Sequence, residues 1–162
     1  MKELSLKNLE YPFELIGNDW MLITAGNKEK FNTMTASWGT IGILWNKKVA
    51  TCFIRPQRYT FEFIEKNDYF SLSFFDSSYK DILKLCGTKS GREIDKVKET
   101  NLTPCFENVA PYFKEAHTVL VCKKIYSQFI DPECILDKSI EKNYPNKDYH
   151  KMYVGEIIDC IN

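Results

Sequence analysis

The stretch from Asn32 to Thr60, NTMTASWGTIGILWNKKVATCFIRPQRYT, constrains the fold more than any other part of the chain. It reads as two extended segments joined by a polar turn at Asn46-Lys47-Lys48. The run ends at Arg55-Pro56, ahead of a helix start at Thr60. Thr33, Thr35, Ser37, Gly39 and Thr40 are interleaved with Met34, Trp38 and Trp45. Small residues let a flat ring lie close to the backbone, and hydroxyls offer directional hydrogen bonds without charge. Thr35, Ala36, Ser37 and Trp38 are therefore candidates for the ring end of a ligand. The same residues also read as an edge strand whose hydroxyls face water. Arg55 and Arg58 precede a helix whose first turn has free N–H groups, which suits a phosphate, although two arginines there can equally be a solvated face.

The remaining segments argue for a mainly β fold with inserted short helices. WMLITAG is a first strand ending at Gly26, and residues 27–30 form a turn. TFEFIEKN is a short helix with Thr60 as N-cap, Glu62 in its first turn and Asn67 at a left-handed C-terminus. YFSLSFF, from Tyr69, alternates Phe70, Leu72 and Phe74 against Ser71 and Ser73, the pattern of a strand with one buried face. YKDILKLC is a helix capped by Asp76, Ser77 or Ser78 and closed by Gly87. Residues 88–92 are a loop of small and basic residues, a second phosphate candidate on composition, and Asp95 caps a helix ending near Asn101. Residues 111–130 read as a long strand bent around Cys122-Lys123-Lys124. Asp131-Pro132 then starts a helix expected to reach Lys142, and the last strand runs from His150 to Ile161. Without regular strand-helix alternation, a closed or split β-barrel is favoured over a doubly wound parallel sheet, and no GxGxxG supports a Rossmann site.

A chain of 162 residues fits one domain, residues 1–162, with residues 1–17 as an N-terminal arm carrying Leu4, Leu6, Leu9, Tyr11, Phe13 and Ile16. The 22 acidic and 22 basic residues cancel, which leaves no field to attract nucleic acid or an anionic membrane. Six cysteines occur without a CxxC pair or a histidine at ligand spacing, so no metal site is expected; they read as reduced thiols of a cytoplasmic protein. No apolar run approaches the ~20 residues of a membrane span. His117 and His150 are the two available imidazoles, and each reads more simply as a packed or surface strand residue than as a base.

The runs MTASWG, WNKKVA, IRPQRYTFEFIE and LKLCGTKSGR resemble the flavin reductase-like family of FMN-binding split barrels, in its flavoredoxin-like branch, over about residues 18–158. The resemblance implies that Met34, Thr35, Ala36, Ser37 and Trp38 line the flavin. It implies that Arg55, Pro56, Arg58, Tyr59 and Thr60 reach its ribityl chain and phosphate, with Arg58 and Thr60 favoured over Arg55. It also implies that Cys86, Gly87, Thr88, Lys89 and Ser90 close over the phosphate end, where an ordinary helix end and surface loop is the plainer reading. His150, in DYHKMYVGEI, would lie near the substrate side. The implied protein is a homodimeric split β-barrel in which hydride from NADH or NADPH reaches FMN and electrons pass to a small-molecule or protein partner. The alternative is a flavoredoxin-like carrier that holds FMN without pyridine-nucleotide activity of its own. A more distant one is a split barrel that binds haem or another ligand.

Overall fold

The structure is a computed structural model, which describes residues 12–162. The expected apolar positions Leu4, Leu6, Leu9 and Tyr11 lie outside the described residues. The last part of the arm, Glu14–Asn18, is one π-helical turn that buries Leu15 and Ile16 in the main core.

One antiparallel sheet carries the fold. Its strands are β1 (Met21–Gly26), β2 (Phe31–Ala36), β3 (Gly39–Leu44), β4 (Lys47–Ile54) and β5 (Tyr69–Phe74). A two-stranded ribbon, β6 (Pro104–Cys105) and β7 (Tyr112–Phe113), follows; β8 (Thr118–Phe129) and β9 (Lys151–Ile161) complete the sheet. The seven-strand order is β2-β1-β5-β8-β9-β4-β3. Its two edge strands, β2 and β3, are separated in the chain by Ser37 and Trp38 alone. A flat sheet of this size would hold its edges about 29 Å apart at ~4.8 Å per gap, whereas two linking residues span at most about 11 Å. The sheet therefore has to curl round until its edges meet, leaving an unpaired seam at residues 36–39. The result is a split β-barrel.

The barrel interior is filled by Met21, Ile23, Ala25, Phe70, Leu72, Phe74, Ile54, Leu120 and Tyr153. The other face of β1 and β5 is covered by helices and loops. Leu22 packs with Phe75, Leu83, Cys86, Leu102 and Phe113 in a second cluster. Three helices flank the barrel: α1 (Tyr59–Lys66), α2 (Lys80–Thr88) and α3 (Lys96–Thr100).

Most expected elements are present, with informative differences. The organising stretch is three strands, because the chain breaks at Ser37-Trp38 to cross the seam. The hairpin turn is Trp45-Asn46, both left-handed (φ 51° and 57°), the geometry that suits a two-residue hairpin; Lys47 and Lys48 already belong to β4. In β5, Ser71 and Ser73 are as buried as the aromatic residues, since that strand is covered on both faces; the Ser71 hydroxyl donates to the Pro111 carbonyl. Arg58, not Thr60, occupies the N-cap of α1, and Asn67 is extended, not left-handed. Gly87 lies inside α2, which Lys89 ends. The Asp95 cap of α3 and its end at Asn101 are as expected, and the structure adds that Asn101 is left-handed. β8 bends through register shifts at Val121/Cys122 and Lys124/Tyr126. The helix expected after Asp131 is replaced by two 3-10 turns, Pro132–Cys134 and Lys138–Asn143. Asp131 caps the first through Glu133 N–H and Asp137 the second through Ser139 N–H. Side-chain caps at both starts restart the backbone instead of letting one helix propagate.

Candidate functional site

The seam and the end of β4 open onto a hollow of about 210 Å³ bordered by Met34, Thr35, Ala36, Ser37, Trp38, Phe53, Arg55, Arg58 and His150. A smaller hollow of about 80 Å³ adjoins it, bordered by Asn32, Thr60, Tyr59, Thr88, Lys89, Ser90, Gly91 and Lys96. Met34 and Arg58 border both. The two clusters expected from sequence, ring end and phosphate end, are thus neighbours in space.

Each wall is set by a local requirement. The Thr35 hydroxyl, expected to face a ligand, donates to the Leu83 carbonyl and ties β2 to α2. Opposite it, a Cβ on Gly87 would sit 3.3 Å from the Thr35 Cβ, so glycine lets α2 lie close to the strand. Thr60 is fully buried, and its hydroxyl accepts a hydrogen bond from the Asn32 amide at 2.8 Å. A Cβ at Gly91 would fall 2.0 Å from the Asn32 Oδ1, so the loop after α2 rests directly on that pair. Pro56 does not border either hollow; it shapes the turn in which Arg58 N–H bonds to the Arg55 carbonyl.

The two arginines separate. Arg55 pairs with Asp148, donates to the Asn143 carbonyl at 2.7 Å and lies 5.2 Å from the Tyr144 ring. Its charge is spent fastening the segment between the 3-10 turns and β9. Arg58 donates to the Gly87 carbonyl at 2.8 Å, and no carboxylate pairs with it among the described residues. Burial, and then the nearby Arg55, lower its affinity for its proton. Cys86 does not reach the hollows: its thiol packs in the second apolar cluster, where burial pushes its pKa up. It contributes its carbonyl instead, which accepts from the Lys96 ammonium.

His150 closes the ring-side hollow. Its ring lies 5.0 Å from that of Trp38, and its Nδ1 is 3.0 Å from the Tyr144 hydroxyl. Burial, reinforced by Arg55, holds the imidazole down to about 4, so it is neutral at pH 7. His117 lies elsewhere, hydrogen-bonded to Thr118. Asn32, Phe53, Gln57 and Lys96 are the site residues that sequence reading passed over. A lone lysine in a short helix carries no signal by itself; only its burial sets it apart.

A barrel split at one seam, with a cation that meets no carboxylate among the described residues between two adjoining hollows, defines a split-barrel fold with a site suited to an anion. The chain belongs to the flavin reductase like domain family, whose family model matches residues 14–162. Among solved structures it is similar to an FMN-binding protein from Thermus thermophilus with bound 1-cyclohex-2-enone (TM-score 0.70, 21% identity, 88% of this chain and 69% of that one). It is likewise similar to flavoredoxin from Methanosarcina acetivorans (TM-score 0.68, 24% identity, 89% and 68%). A third similar structure is a protein with a split barrel domain from Shewanella frigidimarina (TM-score 0.68, 18% identity, 95% and 75%). No curated protein matches the chain. Among the described residues, no helix is long and apolar enough to cross a membrane, and no cluster of ligating side chains could hold a metal.

Proposed function

We propose that this protein is an FMN-dependent oxidoreductase of the flavin reductase type, with Met34 to Trp38 receiving the ring and Arg58, Thr60 and residues 88–90 receiving the phosphate. The observation that carries the reading is Arg58, a half-buried guanidinium without an acidic partner among the described residues, where the two hollows meet. A charge withdrawn from water without a counter-charge is costly, and a phosphate supplies that counter-charge in bidentate geometry. The Ser90 hydroxyl, which accepts from Arg92 N–H, and the buried Thr60 hydroxyl, which accepts from Asn32, keep a proton to donate to the same group, whereas the Thr88 hydroxyl donates to the Lys84 carbonyl.

A flavin held here would supply the redox chemistry, with NADH or NADPH as the hydride donor on this reading. The protein's part is to bind, orient and exclude water. The Trp38–His150 pair walls one side of the ring hollow with two uncharged rings, and the Arg55 tether to Asp148, Asn143 and Tyr144 holds that wall in place. With the imidazole neutral at pH 7, the local positive charge belongs to the arginines. The acceptor is a free flavin, another small molecule or a protein. We further propose that residues 1–162 act as one domain in a homodimer. Cysteines that are all free suit a cytoplasmic setting.

Likeness to a flavoredoxin supports a second reading, an FMN-holding carrier without pyridine-nucleotide activity. Anaerobic addition of NADH or NADPH to the FMN-loaded protein separates the two. Loss of the flavin absorbance within seconds supports the reductase; bleaching only by a reduced protein partner supports the carrier. Failure to bind FMN at all overturns both.

A further inference from the structure

Lys96 is a charge that the reading above does not use. It opens α3 and is 7% exposed. Its ammonium donates to the carbonyls of Thr33 at 2.8 Å and Cys86 at 2.7 Å, bridging β2 and α2. An ammonium has three N–H donors, and among the described residues neither a third acceptor nor a carboxylate partner is found for it. The side chain borders the smaller hollow together with Arg58, Thr60 and Ser90. Two carbonyls orient a buried ammonium but do not neutralise it.

We propose that Lys96 is a binding residue for the phosphate monoester and makes its retention pH-dependent, holding the dianion when protonated and releasing it when neutral. This rests on the flavin reading above. The groups facing Lys96 favour such a switch. Arg58 at the start of α1 repels its charge, and the Cys86 thiol on α2 stabilises it only when ionised. β2 presents the uncharged Asn32, Thr33 and Met34. Lys89 shares the smaller hollow, and Lys96 also borders a second hollow together with Lys30, Arg92, Glu93 and Asp95. Asp95 is occupied as the α3 cap, accepting from Val97 N–H and Lys98 N–H. Burial, and then Arg58, hold the empty-site ammonium down to about 8, within reach of ordinary conditions. A bound dianion acts in the opposite direction, so binding above that pH has to take up a proton. A phosphate monoester is already a dianion there, its second ionisation lying near ~6.

Calorimetric titration of the whole protein with FMN and with riboflavin, from pH 6.5 to 9.5 in buffers of different ionisation heat, tests this. FMN affinity should fall towards about tenfold per pH unit above the Lys96 midpoint, with uptake approaching one proton per FMN, while riboflavin shows neither. Lys96→Met should lose about tenfold to hundredfold in FMN affinity, keep riboflavin binding and flatten the pH profile. Lys96→Arg should restore FMN binding without the alkaline decline. If wild-type protein binds both flavins but takes up no proton with FMN, the proposal fails and Lys96 is a clamp alone. Equal loss of both ligands in Lys96→Met says the same. If the Met variant does not fold, the wild-type proton count decides. Wild-type protein that binds neither flavin refutes the flavin reading itself, and this proposal with it.

Discussion

At the scale of single residues, the charge of Arg58 has no acid to answer it among the described residues, so its removal should be felt selectively. Arg58→Ala should weaken FMN binding by about tenfold to hundredfold, the worth of a charge-assisted hydrogen bond, and leave riboflavin nearly unaffected. Equal loss of both ligands in fluorescence titrations would argue against the phosphate assignment. His150 makes a second prediction. Its folded-state value of about 4 lies below its ordinary 6.5, so the unfolded chain binds more protons between those limits. The stability this imidazole contributes is complete above pH 6.5 and is lost as pH falls towards 4. Thermal melts of His150→Gln against wild type should therefore converge through that interval. A melting difference independent of pH would show that the imidazole does not stay neutral there.

At the scale of elements, the site depends on close contacts between segments more than on any one helix. Gly91 brings the loop after α2 onto Asn32, whose amide in turn holds Thr60. Gly91→Ala places a methyl where the Asn32 carbonyl oxygen stands. It should cost about 1–3 kcal/mol in urea unfolding and weaken FMN as well, because the Asn32–Thr60 pair has to move. An unchanged midpoint would mean that the loop is free to shift. The segment 143–150 is held by Arg55, which reaches both Asp148 and Asn143, and by the Gln57 amide on Asp148. Arg55→Ala removes the charged partner of Asp148 and the donor to Asn143, so amide exchange should accelerate across residues 143–150 while the barrel strands stay protected. Uniform protection would show that Tyr144 packing and the Gln57 amide are sufficient.

At the scale of the molecule, β3 is both an edge of the sheet and an apolar surface. Ile43 is 71% and Trp45 59% exposed, with Leu44, Tyr126 and Phe129 also open and Trp45 stacked edge-on against Tyr126 at 6.1 Å. A hydrophobic open edge is a hazard for a lone subunit and is normally covered. We expect a dimer in sedimentation at micromolar concentration, and Trp45→Glu should shift it towards monomer without unfolding the barrel. A wild-type monomer at all concentrations would count against the homodimer.

The sequence by itself determined most strands of the main sheet, the turn at residues 27–30, the Asp95 cap, and part of the set of positions that border the two hollows. These follow from side-chain period, turn chemistry and ordered motifs, all of which act within a few residues. Tertiary structure alone decided how the charges and hydroxyls are spent. Arg55 meets Asp148 across 93 positions, Thr60 meets Asn32 across 28, and Lys96 meets Thr33 across 63. The burial of Cys86 and the covering of both faces of β5 likewise depend on which helix lies over which strand. Such pairings arise only once the sheet has curled back on itself at Ser37-Trp38, since that closure sets what each side chain faces.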